Sequence, residues 1–222
     1  MTLRISNARR SPAATVVKLG GSLAESGRLA AILRIVAGAR APVVVVPGGG
    51  TFADAVRVAQ ADLGFSDAVA HRMAILAMHQ SAHMLAGLEP RLEPAETLAA
   101  IRRALAAGRI PAWLPWKLCA RDKTIPADWS VTSDGLAARL AERLGGALVV
   151  LVKSCAVAPR AELHRLARAG TVDPTFVTIV ERARLRWCVL GAGDEAELAA
   201  VLEAQRQGRR RSAPQRAIAR SK

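Results

Sequence analysis

The chain has 222 residues, 51% of them hydrophobic, a formal net charge of +14 and three cysteines. That length suits one well-buried core or two small domains. Its apolar runs, the longest around PVVVVP and GGALVVLVK, are too short to span a bilayer, and Cys119, Cys155 and Cys188 make neither an even set nor a C-x-x-C pair, so no disulfide framework is expected.

The first fifteen residues carry Arg4, Arg9 and Arg10 but no apolar stretch of the kind a secretory signal needs. With the unpaired cysteines, this predicts a cytoplasmic protein. Residues 1–12 read as a basic N-terminal extension, 13–205 as one domain, and 206–222 as a basic, disordered tail. The tail holds Arg206, Arg209, Arg210, Arg211, Arg216, Arg220 and Lys222 without an acidic residue. No aromatic residue interleaves these cations, so the tail lacks a stacking platform for bases, and nucleic acid is not the expected partner.

Between the ends, β-branched apolar runs predict strands at Thr15–Leu19, Val43–Pro47, Leu148–Val152 and Trp187–Leu190, with a weaker one at Ile110–Leu114. Helical periodicity fills Arg28–Ala39, Phe52–Asp62, Asp67–Leu85, Thr97–Ala107, Ser133–Arg143 and Glu195–Gln205. Strands alternating with helices of this length predict an α/β protein with a parallel sheet covered on both faces.

The first strand ends in VVKLGGSL. Lys18 precedes Gly20, Gly21 and Ser22, a sequence that lets backbone N–H groups approach an anion closely. The second strand ends in PGGGTF, where Pro47 fixes the turn, Gly48, Gly49 and Gly50 follow, and Thr51 is placed to cap the next helix. Both loops fall at carboxyl ends of strands, where ligands gather in open α/β sheets. Two such loops predict two phosphate-bearing ligands held face to face.

A third segment, DWSVTSDGLAARLAERL, places Thr132 or Ser133 as a helix cap and Asp134 in the first turn. Two readings of Asp134 stand at this point: a helix-start carboxylate that favours the dipole, or a group that holds Lys18 and a second lysine against a transferring phosphate. No G-x-x-x-x-G-K-[ST] or G-x-G-x-x-G motif occurs, and no metal ligand set is expected. His79 and His83, four residues apart, lack a third ligand nearby in the sequence and read as ordinary helix residues.

In this order, the K-x-G-G-S of Lys18 to Ser22, the P-G-G-G of Pro47 to Gly50, the T-S-D of Thr132 to Asp134 and the late turn VLGAGDEAELAAVL resemble the amino-acid kinase superfamily. The stretches PGGGTFADAVR, DLGFSDAVAHRMAIL, LPWKL, DWSVTSDGLA and GTVDPTF resemble the kinases of methanofuran biosynthesis within it. Those enzymes convert an aminomethylfuran-methyl phosphate to its diphosphate.

The resemblance implies a three-layer αβα sandwich with a mainly parallel central sheet. It also implies an ATP-dependent kinase with Mg2+ carried mostly on ATP's own phosphates, a small phosphorylated substrate and a homo-oligomer. Carried over by position, Lys18 and Asp134 are catalytic. Gly20, Gly21, Ser22 and Lys153 bind the nucleotide, while Gly48, Gly49, Gly50, Arg57 and His71 bind the acceptor. Lys117 is a further, weaker candidate. One departure stands out: the superfamily's V-D-G-[IV]-like loop after the later core strand is here VKSCAV, with Cys155 and Ala156 in place of Asp and Gly. The alternatives are a nucleoside-monophosphate (UMP-like) kinase, a carboxylate kinase, and a catalytically weak nucleotide-binding or structural subunit.

Overall fold

The computed structural model describes residues 14–158 and 161–212. Six strands form one all-parallel sheet: β1 (Thr15–Leu19), β2 (Val43–Pro47), β3 (Leu92–Ala95), β4 (Ile110–Trp113), β5 (Leu148–Val152) and β6 (Trp187–Leu190). Their order is β3-β4-β2-β1-β5-β6. The central strand β1 pairs with β2 and β5 in matching register, so that Leu19 lies opposite both Pro47 and Val152. Every residue of β1, β2 and β5 is buried, as expected for strands covered on both faces.

Helices α1 (Leu29–Gly38), α2 (Gly50–Leu63), α3 (Asp67–Leu88), α4 (Leu98–Ala106) and α5 (Trp116–Cys119) precede α6 (Ser133–Arg143). After β5 come α7 (Leu163–Arg168), α8 (Pro174–Arg182) and α9 (Glu195–Ser212). Alternation along the strands sorts the core into two layers. Val17 and Leu19 join Ile32 and Val36 of α1 and Leu198 and Val201 of α9 on one face. Val16 joins Leu136 and Leu140 of α6 and Phe176 of α8 on the other. Lys18 shares the face of Val16, so its side chain rises toward α6.

The chain leaves β1 through α1 toward β2 and the β3 edge, then returns through α6 to β5 on the opposite side. The direction of winding therefore reverses at β1. The crevice beyond its carboxyl end is where an open α/β sheet places a ligand. The three-layer sandwich expected from the sequence is thus the observed fold.

Two helix ends differ from the sequence reading. Thr51 does not cap α2; Gly49 occupies the N-cap position and the helix begins at Gly50. The final helix runs to Ser212, past the boundary set at 205, and Arg206 pairs with Glu203 one turn earlier. The remaining residues of the two basic ends, 1–13 and 213–222, lie outside the described residues.

Candidate active site

At the end of β1, Lys18 meets α6. Its Nζ lies 2.9 Å from Asp134 Oδ1, and Lys153 Nζ, just beyond β5, lies 2.5 Å from Oδ2. Asp134 is 2% exposed and Lys18 5%. The Lys153 contact is a directed hydrogen bond, whereas Lys18 approaches Oδ1 off the hydrogen-bonding direction, leaving that oxygen without a directed donor. Burial pushes the Asp134 carboxyl up, but the two ammonium groups outweigh it and hold the carboxyl below its ordinary value. Burial and the charge of Lys18 push Lys153 down, against the pull of Asp134.

Asp134 is fixed by the start of α6. The Thr132 hydroxyl accepts from Asp134 N at 3.4 Å, making Thr132 rather than Ser133 the cap. Thr132 is held in turn by Asp173, whose Oδ2 accepts from Thr132 N at 2.8 Å, Thr132 Oγ1 at 2.7 Å and Gly135 N at 2.9 Å. The other carboxylate oxygen caps α8 by accepting from Phe176 N at 2.6 Å. One carboxylate thus satisfies the first turns of two helices. Burial and the neighbouring Asp134 push Asp173 up, against the hydrogen bonds from the Thr132 hydroxyl, Gly135 N and Phe176 N. The sequence reading assigned Asp173 no role, although Asp-Pro before an apolar run is a recognisable helix start.

The two glycine loops interlock. A Cβ on Gly21 would stand 2.2 Å from Gly50 N, and one on Gly48 would stand 2.5 Å from Gly21 N. Here glycine permits backbone-to-backbone contact. The N–H groups of Gly20 and Gly48 are already engaged, donating to Val152 O at 3.0 Å and Leu19 O at 2.8 Å. These two residues position the loops. Gly48 also lines the adjoining cleft, with Gly21, Ser22, Gly49 and Gly50, at the N-terminus of α2, where the first helical N–H groups have no intrahelical acceptor.

That cleft has a volume of about 230 Å³ and opens between the glycine loops, α2, α3 and the start of α6. Arg57 and His71 both line it, with Asp54, Trp129 and Ser133. His71 is buried, and burial lowers its pKa despite the neighbouring Asp128, which keeps the imidazole neutral near pH 7. The arrangement provides a cationic corner at Lys18 and Lys153, a backbone cradle between the loops, and a lined recess on the α2–α3 side.

On the opposite side, Ser22 Oγ meets Ser154 Oγ at 2.7 Å, joining the first glycine loop to the segment after β5. The Cys155–Val157 backbone folds onto the turn after β6, with Ala192 N donating to Cys155 O at 2.9 Å. A Cβ on Gly191 would stand 2.5 Å from Val157 N. Arg28 secures these strand ends by donating to Lys153 O, Gly191 O and Glu195 Oε1. Lys117 does not line the cleft; it pairs with Glu96 at 2.5 Å. His79 accepts from Trp116 N at 3.0 Å and is a structural acceptor.

The model of the Amino acid kinase family matches residues 13–156. The chain is 24% identical over 200 residues to (5-(aminomethyl)furan-3-yl)methyl phosphate kinase of Methanocaldococcus jannaschii, an alignment that covers 85% of this chain and 92% of that protein. Among solved structures, uridylate kinase from Archaeoglobus fulgidus superposes with a TM-score of 0.61 at 19% identity, covering 85% of this chain and 95% of its own. UMP kinase from Bacillus anthracis gives 0.62 at 14% identity, covering 88% and 93%. Isopentenyl phosphate kinase from T. acidophilum gives 0.54 at 13%, covering 85% and 95%.

Proposed function

The chain belongs to the amino acid kinase family, and from that premise we propose that it transfers the terminal phosphoryl group of ATP to a small phosphate monoester. The acceptor we propose is an aminomethylfuran-methyl phosphate, on the strength of the relative from Methanocaldococcus jannaschii. The observation that carries the reading is the convergence of Lys18, Lys153 and buried Asp134 beside two interlocked glycine loops at the winding reversal.

An acceptor phosphate oxygen is already anionic at neutral pH, so the reaction needs no strong general base. It needs two anions aligned and their repulsion screened. A bond forms between an acceptor oxygen and the terminal phosphorus of ATP, and the bond to ATP's bridging oxygen breaks, leaving ADP and a diphosphate. Lys18 screens the transferring group, and Lys153, Gly21 and Ser22 hold the donor phosphates. Gly48, Gly49, Gly50, Arg57 and His71 receive the acceptor, while Gly20 holds the first glycine loop against β5. Asp134 keeps both ammonium groups in place.

Magnesium ion, when bound, supplies further screening of the phosphate charge. We assign the ion mostly to the nucleotide's own phosphate oxygens. Eight large apolar side chains exposed on α2 and α3, among them Val58, Leu63, Leu76 and Leu88, support assembly of the protein with copies of itself. No helix among the described residues is long and apolar enough to cross a membrane. The three free cysteines fit the proposed cytoplasmic setting.

The test is ATP consumption measured against a panel of phosphate monoesters, including the aminomethylfuran-methyl phosphate and UMP, with a carboxylate as comparison. Turnover of the furan compound above the others supports the reading, and preference for UMP or a carboxylate replaces it. A weakly catalytic nucleotide-binding subunit is the second reading, favoured by the closure of the Cys155–Val157 segment onto Gly191. It predicts ATP binding by calorimetry without turnover of any acceptor.

A further inference from the structure

Arg57 occupies an unusual position for a half-exposed cation. Its acidic neighbour Asp54 is 4.0 Å away and itself well exposed, a geometry that fixes an arginine poorly. What holds the guanidinium is an aromatic face: Arg57 Cζ lies 3.8 Å from the centroid of the Trp129 ring. Trp129 is itself anchored, because its indole N–H donates to Gln60 Oε1 at 2.7 Å. The Gln60 amide donates onward to Asp67 Oδ1 at 2.7 Å and to Phe65 O at 3.2 Å. A chain of hydrogen bonds from the first turn of α3 thus fixes the ring that fixes the guanidinium.

The stack lines the cleft that contains Gly49 and Gly50. Of the charged or titratable side chains lining it (Asp54, Arg57 and His71), Arg57 is the permanent cation. A guanidinium stacked on one face keeps its N–H edge free, and that edge is the part that matches phosphate oxygens. Arginine carries large rotamer entropy, and ordering it before the ligand arrives reduces what binding must supply.

We propose that Trp129 is a positioning residue for phosphate-monoester recognition, stacking on Arg57 so that the guanidinium edge meets the acceptor's phosphate. Gln60 locks the indole in the orientation that this requires. The proposal deepens the kinase reading above and rests on its assignment of the α2–α3 cleft to the acceptor.

Steady-state kinetics with ATP and acceptor varied separately provide the test. Trp129→Ala is expected to raise the acceptor KM by about tenfold, the scale of losing one preordered side chain, with the ATP KM unchanged. Trp129→Phe keeps an aromatic face and should recover most of the loss. Arg57→Lys removes the planar group and should resemble Trp129→Ala. The double variant Arg57→Ala/Trp129→Ala should be no worse than Arg57→Ala alone. An unchanged acceptor KM, both KM values rising together, or multiplying losses in the double variant would overturn the proposal.

Should Trp129→Ala fail to fold, Trp129→Phe and Gln60→Leu carry the test. Gln60→Leu leaves the indole unanchored, and an acceptor KM equal to that of the unmodified protein would count against the lock. If the unmodified protein turns over no phosphate monoester, the kinase reading fails on its own. Calorimetry with inorganic phosphate then decides this proposal separately: phosphate affinity should fall about tenfold in Trp129→Ala, and equal affinity would overturn it.

Discussion

Lys18 and Asp134 form a buried ion pair, Nζ to Oδ1 at 2.9 Å, between the end of the central strand and the first turn of the helix above it. Because Lys153 pairs with the other oxygen, the two substitutions are not equivalent. Lys18→Ala leaves Asp134 with one cation, so the fold should persist while turnover falls about 10²-fold, the scale of losing one charge-stabilising donor. Asp134→Asn leaves two buried ammonium groups facing each other without a counter-charge. It should cost about 3–5 kcal/mol of stability as well as turnover. Thermal melts beside kinetics on both variants and the double variant check this. Catalytic losses that multiply would show that the pair does not act as a unit.

Gly21→Ala should be among the most damaging single-methyl changes in the chain. The added Cβ would stand 2.2 Å from Gly50 N and 2.3 Å from Gly50 Cα, and both obstacles are backbone. The two loops must part, and the cleft they line changes shape with them. Gly87→Ala is the matched control: it lies in α3 with nothing within 4 Å of the new methyl, and helix propensity favours alanine by about 1 kcal/mol. We expect lost turnover and a lowered Tm in the first and an equal or raised Tm in the second. Similar melting curves would show that the interlock bears no strain.

Much of this arrangement was legible in the sequence where one physical signal dominated. The central strands β1, β2 and β5 are buried along their whole length and read as apolar, mostly β-branched runs, and they and β6 have the bounds predicted. The edge strand β3 was missed because Glu93 and Pro94 interrupt its apolar pattern; an edge position tolerates both. Helix α8 was not among the predicted elements, because the β-branched TFVTIV carries weak helix propensity. Its Asp173 cap, Pro174 and the inward set Phe176, Val177, Ile179 and Val180 make it helical. Lys18, Asp134 and the glycine loops were readable as local motifs at strand and helix ends. The Trp129–Arg57 stack and the reach of Asp173 to Thr132 were not, because tertiary packing alone brings those residues together.

The acid side of the stability profile should depend on His79. Its Nε2 accepts a hydrogen bond from Trp116 N at 3.0 Å, which ties α5 to α3 only while that nitrogen is unprotonated. Burial lowers its pKa, with His83 adding to the effect and Glu96 opposing it. A folded pKa below the unfolded value means the folded form binds protons less readily. The stability is therefore present above the ordinary histidine value of 6.5 and is lost as pH falls through the folded value. His71 is shifted the same way and adds to the trend. The Tm of the unmodified protein should fall between pH 7 and pH 5, and His79→Gln, whose amide oxygen can still accept, should fall less. Parallel curves would remove His79 from the account.

Asp173 should prove as important to activity as a residue that lines the cleft, although it is not among those that do. Its carboxylate accepts from Thr132, Gly135 and Phe176, and Thr132 caps the turn that carries Asp134. Asp173→Ala leaves these donors without acceptors at the starts of two helices. The expected cost is about 3 kcal/mol, since hydrogen bonds to a charged acceptor are each worth more than neutral ones. For a chain of this size that corresponds to a Tm lower by roughly 6–12 °C. Asp173→Asn keeps one acceptor oxygen and should lose less. Below its new Tm, Asp173→Ala should still turn over more slowly than the unmodified protein, because the first turn of α6 no longer fixes Asp134 between Lys18 and Lys153. A folded Asp173→Ala with full turnover would show that the lysines hold Asp134 without help from its helix.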